Sequence, residues 1–87
     1  MVKEEIILQI ESGLHARPAA LFVKEASKFK SDIKLIRKKK EYNGKSIMGI
    51  LSMGLGKGEK ITIQAEGEDE EAAVFELVDL LVNKLND

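Results

Sequence analysis

The stretch Ser12-Gly13-Leu14-His15-Ala16-Arg17-Pro18 decides how the chain divides, because it ends one element and begins the next. Ser12-Gly13 is turn-forming and stops the apolar alternation that precedes it. Pro18 cannot lie deep inside a helix, but it suits a first turn, where its missing N–H has no intrahelical acceptor. A helix over 19–29 follows, so His15 is expected at the helix N-cap or beside it. The stretch holds the only histidine and the only proline of the 87 residues. A helix N-terminus presents unpaired N–H groups and partial positive charge, which suit an anion. Imidazole can act as a nucleophile, and Arg17 can neutralise oxyanions. Together these residues read as a phosphohistidine site.

Before this stretch, 5–10 reads as a strand with Ile6, Leu8 and Ile10 on one face. After it, Ala19, Phe22, Val23 and Ala26 recur at helical spacing and mark the buried face, with Phe29 near the helix end. Ala20, Lys24 and Ser27 lie off that face and leave the histidine end accessible. Ser31-Asp32 breaks the helix, and 32–38 alternates as a second strand. A short charged third strand over 39–42 suits a sheet edge. Asn43-Gly44 is a strong turn signal. Ser46 is a favoured N-cap for a helix of about two turns that follows it. The glycine-rich Gly54-Leu55-Gly56-Lys57-Gly58 lacks the spacing of a phosphate loop and reads as a turn. Ile61, Ile63 and Ala65 give a fourth strand, with Thr62, Gln64 and Glu66 on its polar face. Val74, Leu77, Val78, Leu81 and Leu85 mark the buried face of a last helix, whose first turn carries acidic residues that complement the helix dipole. The order is βαββαβα. No strand is a continuous apolar run, so an antiparallel sheet with helices on one side and solvent on the other is expected, in a single domain over 1–87.

Composition narrows the function classes. The chain has no cysteine, so disulfides and thiolate metal sites are excluded. No apolar run approaches a membrane span, and the first residues lack the order of a signal peptide, so a soluble cytoplasmic protein is expected. The net charge of −1 hides an asymmetry, with nine of the fourteen basic residues between Lys24 and Lys45 and nine of the fifteen acidic ones from Glu59 onward. Lys38-Lys39-Lys40 could meet nucleic acid or an acidic partner, but reads first as a solvated strand end or turn. A pI near 5.9 argues against direct nucleic-acid binding.

A lone histidine is most often structural, so His15 must be weighed by its neighbours. A metal site would need partner ligands, and the chain has no second histidine and no cysteine. Ser12 and Glu11 are near enough in sequence for a Ser-His-acid triad, but strand geometry points neighbours apart. What remains is His15 as the nucleophile, with helix amides and Arg17 holding the phosphoryl group. No nucleotide loop or Mg²⁺-binding acidic cluster stands out, so donor and acceptor proteins are implied. Apolar Ile47, Met48, Leu51 and Leu55 cannot all be buried in so small a domain, and an exposed patch there would anchor a partner. Ser46 is either an ordinary cap, worth about 1 kcal/mol, or a regulated phosphorylation site, where phosphate would meet a helix N-terminus.

Gly13-Leu14-His15-Ala16-Arg17-Pro18-Ala19 resembles the active-site signature of the HPr family, the histidine phosphocarriers of the bacterial phosphoenolpyruvate-dependent sugar phosphotransferase system. Lys45-Ser46-Ile47-Met48-Gly49, followed by Leu51-Ser52-Met53-Gly54, resembles that family's regulatory-serine segment. The likeness spans essentially the whole chain. It implies an open-faced β-sandwich of α+β class, a four-stranded antiparallel sheet with three helices on one face. It also implies that His15 takes a phosphoryl group at Nδ1 from phosphorylated Enzyme I and passes it to the IIA domain of a sugar permease, with Ala16 and Arg17 holding the phosphate. Ser46 would be the substrate of an HPr kinase/phosphorylase, and its phosphorylated form a corepressor for the catabolite control protein. Such a chain is a stoichiometric carrier without independent turnover, metal or cofactor. Its partner surface would comprise Ala20, Lys24 and Ser27 on the first helix and Ile47, Met48, Leu51, Ser52 and Leu55 around the second. A catabolite-repression paralogue lacks the active histidine, and His15 argues against that assignment. Lys38-Lys39-Lys40 makes the second turn more basic than the family pattern. A purely regulatory module acting through Ser46, and a small nucleic-acid binder using 34–40, are the other classes considered.

Overall fold

The computed structural model describes residues 1–85. Four strands form one sheet: β1 (Val2–Ile7), β2 (Asp32–Arg37), β3 (Lys40–Asn43) and β4 (Lys60–Glu66). Their spatial order is β1-β4-β2-β3, and every neighbouring pair is antiparallel. Helices α1 (Ala16–Ala26), α2 (Ile47–Leu51) and α3 (Glu70–Asp79) cover one face. A wider π-helical segment, Leu80–Lys84, continues α3, and Leu85 N–H reaches back to the Leu80 carbonyl at 2.9 Å. This is the open-faced α+β arrangement expected from the alternation.

The core follows the two periodicities. Ile6, Ile33, Leu35, Ile61, Ile63 and Ala65 are buried on the sheet's inner face. Ala19, Phe22 and Ala26 of α1 and Ala73, Val74 and Leu77 of α3 close over them, and all belong to one apolar cluster. Phe22 is fully buried. Val78 is only half-buried, at the margin of the cluster.

Several boundaries differ from the sequence expectation, each for a tertiary reason. The first strand runs over Val2–Ile7 rather than 5–10, because its partner β4 begins at Lys60, opposite Ile7. Leu8 and Ile10 keep the buried alternation, but in a loop: Leu8 N–H donates to the Glu59 carbonyl at 2.9 Å and its own carbonyl accepts from Gly58 N–H at 2.8 Å. The first helix ends at Ala26, not Phe29. Two carboxylate oxygens of Asp69 accept from Lys30 N–H (2.8 Å) and Ser31 N–H (3.0 Å), and Lys45 Nζ takes the Phe29 carbonyl (2.7 Å), which draws the chain out of the helix. The second helix is shorter than two turns: beyond Leu51 the bonds tighten to three-residue spacing, from Met53 N–H to Ile50 and Gly54 N–H to Leu51. Gln64 lies on the open face as expected, yet in mid-sheet between Lys3 and Lys34 it is only 7% exposed.

The β2–β3 connection is a two-residue hairpin loop, because Arg37 pairs with Lys40. Both loop residues have left-handed backbones, Lys38 at φ 51° and Lys39 at φ 69°. Such primed turns favour Asn-Gly, whose twist and steric freedom they match. Two lysines occupy them here.

Candidate functional site

His15 caps α1 with an extended backbone, φ −93° and ψ −166°, and its carbonyl accepts the first helical bond from Ala19 N–H at 2.9 Å. The first turn is Ala16-Arg17-Pro18. Pro18 has no N–H, so the amides left without an intrahelical acceptor just beyond the histidine are those of Ala16 and Arg17. They converge where the helix dipole is positive. Arg17 and His15 are both exposed. An anion at this helix end would find main-chain donors, with the Arg17 cation in the same turn.

The imidazole is oriented by a residue that sequence reasoning missed. Ser12 Oγ lies 2.9 Å from His15 Nε2. The expectation that neighbours point apart assumed a strand reaching Ile10. Instead β1 stops at Ile7, and Ser12 sits in a turn that folds back toward the helix cap. In the tautomer that donates the Nε2 proton to the serine, Nδ1 carries the free lone pair. Glu11 is not part of this group; it pairs with Lys57 at 2.6 Å.

The histidine loop is stitched to the glycine-rich turn. Leu14 N–H donates to the Leu55 carbonyl at 3.0 Å, and Gly13 N–H to Ile10 at 3.0 Å. Gly13 has φ +80°, and a Cβ on it would come within 2.5 Å of the Leu55 carbonyl oxygen. Only glycine permits that approach. The glycine-rich turn is fixed in its own right: Glu59 accepts from Gly56 N–H at 2.6 Å and from Arg37 Nη1 at 3.1 Å. These contacts hold the Glu59 carboxyl below its ordinary range, the Gly56 amide being the largest influence and Arg37 adding to it.

Ser46 caps α2, and its Oγ accepts from Gly49 N–H at 3.0 Å. Around it Met48 is 77% exposed and Ile47 is 41% exposed. These two apolar residues form the exposed part of the expected patch. Leu51 is only half-buried, and Leu55 is buried in the core, so Leu55 offers no side chain to a partner. Its carbonyl faces the histidine loop instead, a placement set by the turn and invisible in local apolarity. Ser52 is exposed, its hydroxyl donating to the Gly49 carbonyl at 2.6 Å. Ala20 and Lys24 on α1, and Ser27 at its C-cap, are exposed as expected. Leu21 joins them, 40% exposed and four residues after Arg17. An apolar residue at that spacing from Arg17, off the buried face, was the available signal. No group of three or more histidine, cysteine, aspartate or glutamate side chains able to hold a metal occurs among the described residues. No helix of the described residues is long and apolar enough to cross a membrane.

Comparison with known proteins agrees with this geometry. Residues 2–83 match the family model described as the PTS HPr component phosphorylation site. The chain is 46% identical over 77 residues to the HPr-like protein Crh of Bacillus subtilis, covering 88% of this chain and 91% of Crh. Its structure resembles HPr from Thermoanaerobacter tengcongensis with a TM-score of 0.93 at 49% identity, covering 98% of this chain and 96% of that one. The phosphocarrier protein HPr from Bacillus anthracis gives a TM-score of 0.88 at 45% identity, over 92% of this chain and 95% of that one. By sheet order, by the histidine at the cap of α1 and by these similarities along nearly its whole length, the chain belongs to the HPr family of phosphotransferase-system phosphocarriers.

Proposed function

We propose that this chain carries a phosphoryl group on Nδ1 of His15, received from phospho-Enzyme I and delivered to the IIA domain of a sugar permease. The observation that carries the reading is the Ser12–His15 contact at the helix cap. It engages Nε2, so that with the proton on that nitrogen Nδ1 is the nucleophile, on the residue that caps α1 just before the Ala16 and Arg17 amides. In the first transfer the Nδ1 lone pair forms a bond to phosphorus as the P–N bond of the donor phosphohistidine breaks, and the donor imidazole keeps that electron pair. The second transfer repeats this toward the acceptor. Ala16 N–H, Arg17 N–H and the Arg17 guanidinium stabilise the charge on the phosphoryl oxygens. The chain turns over only with its partners, which dock on the surface around Ala20, Leu21, Lys24, Ser27, Ile47, Met48 and Ser52.

Ser46 is the second element of the proposal. Phosphorylated by an HPr kinase/phosphorylase, it would place about two negative charges at the start of α2, next to exposed Ile47 and Met48. The modified form would then disfavour Enzyme I and serve the catabolite control protein.

The test is incubation of the full chain with Enzyme I, Mg²⁺ and labelled phosphoenolpyruvate. One acid-labile phosphate is expected, absent from His15→Ala and slowed in Arg17→Glu. A folded wild-type protein that incorporates no label would refute the carrier reading. With HPr kinase and ATP, one acid-stable phosphate is expected, lost in Ser46→Ala.

A further inference from the structure

Lys38 and Lys39 belong to neither the histidine nor the serine site. Yet both stand in left-handed backbone positions where an Asn-Gly pair would be at ease. Strained backbone is retained most often where side chains serve a function. The two lysines also stand in a crowd of like charge, with Arg37 and Lys40 on either side in sequence. Both features work against the fold, and the Glu59 carboxylate, which pairs with Arg37 and also feels Lys38, offsets the crowding only in part. Lys38, Lys39 and Lys60 are exposed, and none of them makes an ion pair among the described residues.

These side chains frame a concave surface. A groove of about 500 Å³ is lined by Glu5, Ile36, Arg37, Lys38, Lys39, Glu59, Lys60 and Thr62. Of the eight, Ile36, Thr62 and Glu5 form one row across the open face of the sheet, since Ile36 pairs with Thr62 and Glu5 with Thr62. Half-buried Ile36 supplies the apolar part of the lining. Arg37 is occupied by Glu59, so the pair contributes little net charge. Lys38, Lys39 and Lys60 remain against one further carboxylate, Glu5, so the groove keeps a net positive charge.

We propose that this groove is a docking site for an extended acidic segment of a partner protein. Lys38, Lys39 and Lys60 would bind its carboxylates, and Ile36 an apolar side chain between them. The three lysines are exposed and solvated, so they would hold a small anion weakly. A nucleic-acid strand fits less well, because no aromatic side chain lines the groove to stack a base. Glu5 and Thr62 can accept N–H bonds from a peptide backbone, which a phosphodiester chain cannot offer. The proposal is independent of phosphoryl transfer at His15.

The experiment uses the full chain and a fluorescein-labelled decapeptide of alternating glutamate and valine, followed by anisotropy. Wild type is expected to bind it, with Kd rising several-fold between 50 and 200 mM salt. Lys38→Asn/Lys39→Gly gives the turn its preferred residues, so it is expected to melt at a higher temperature while losing at least tenfold in affinity. Lys38→Arg/Lys39→Arg is expected to keep the affinity within about threefold, since the charges remain. Unchanged phosphoryl acceptance by the Asn-Gly variant would separate this groove from the histidine site. Peptide binding unaltered in that variant overturns the proposal. So does a labelled ten-nucleotide oligothymidylate that binds as tightly as the peptide, or complete displacement of the peptide by millimolar inorganic phosphate.

Discussion

Gly13→Ala tests whether the histidine loop depends on its close approach to the glycine-rich turn. Two terms follow from the geometry. An alanine at φ +80° enters the left-handed region, at a cost of about 1–2 kcal/mol. Its Cβ would also stand 2.5 Å from the Leu55 carbonyl oxygen, a main-chain atom that cannot swing aside. Relief requires the two loops to part, which breaks the Leu14–Leu55 bond and strands a buried amide, worth about 1–3 kcal/mol. Alanine returns about 0.4–1 kcal/mol by stiffening the unfolded chain. At the middle of each range the net loss is about 3 kcal/mol, which for a domain of this size lowers Tm by roughly 12–24 °C. Thermal melting by circular dichroism measures the shift. Gly13→Asn separates the terms, because asparagine tolerates the left-handed region but keeps the Cβ. It should fall between alanine and glycine. Acceptance from Enzyme I, measured at a temperature where the alanine variant is still folded, should be slowed because His15 follows Leu14 directly. A melting point within 3 °C of wild type (about 0.5 kcal/mol) would refute the claim that the two loops are locked at this point.

Three further outcomes can be checked. Asp69 is held down to about pKa 2, first by the Ser31 hydroxyl and then by the Lys30 amide. Because the folded value lies below the unfolded one of 3.8, its stabilisation is complete above about pH 4 and fades as pH falls through about 2. Urea midpoints measured from pH 6 to pH 2 should therefore drop more steeply in wild type than in Asp69→Asn, and parallel curves would contradict the assignment. Ser46→Ala removes the α2 cap and should cost about 1 kcal/mol in urea unfolding, in the ordinary range for such caps; no change would mean that the Gly49 amide finds water without loss. Ser12→Ala should slow phosphoryl acceptance while shifting stability by no more than about 0.5 kcal/mol, as for other exposed positions, and an unaltered rate would remove Ser12 from the site.

Periodicity carried much of this molecule into view. Ile61, Ile63 and Ala65 are buried because alternation along β4 is a local property, and Phe22 because helical spacing is equally local. The N-cap position of His15 was legible for the same reason: Pro18 restricts the backbone whatever surrounds it. What stayed hidden was set by distant residues. Phe29 leaves the helix because Asp69 and Lys45 bind its neighbourhood from 40 and 16 residues away in sequence. Leu55 is buried because a turn swings it inward, although its apolarity suggested a contact surface. Ser12 reaches His15 only because β1 ends where its partner strand begins, which depends on the register with β4.

One consequence follows from the bond between Leu14 and Leu55. The run from Ser46 through α2 and Met53 ends at the carbonyl that the amide beside His15 uses. The two positions proposed for phosphorylation stand 31 residues apart in sequence, yet a five-residue helix and a short turn connect the serine to that carbonyl. The Leu14 amide is accordingly a natural spectroscopic probe. Its ¹⁵N–¹H resonance reports on the hydrogen bond that joins the end of the serine segment to the start of the histidine helix, and its displacement on charging Ser46 would give a single-atom readout of how much one end of the chain hears of the other.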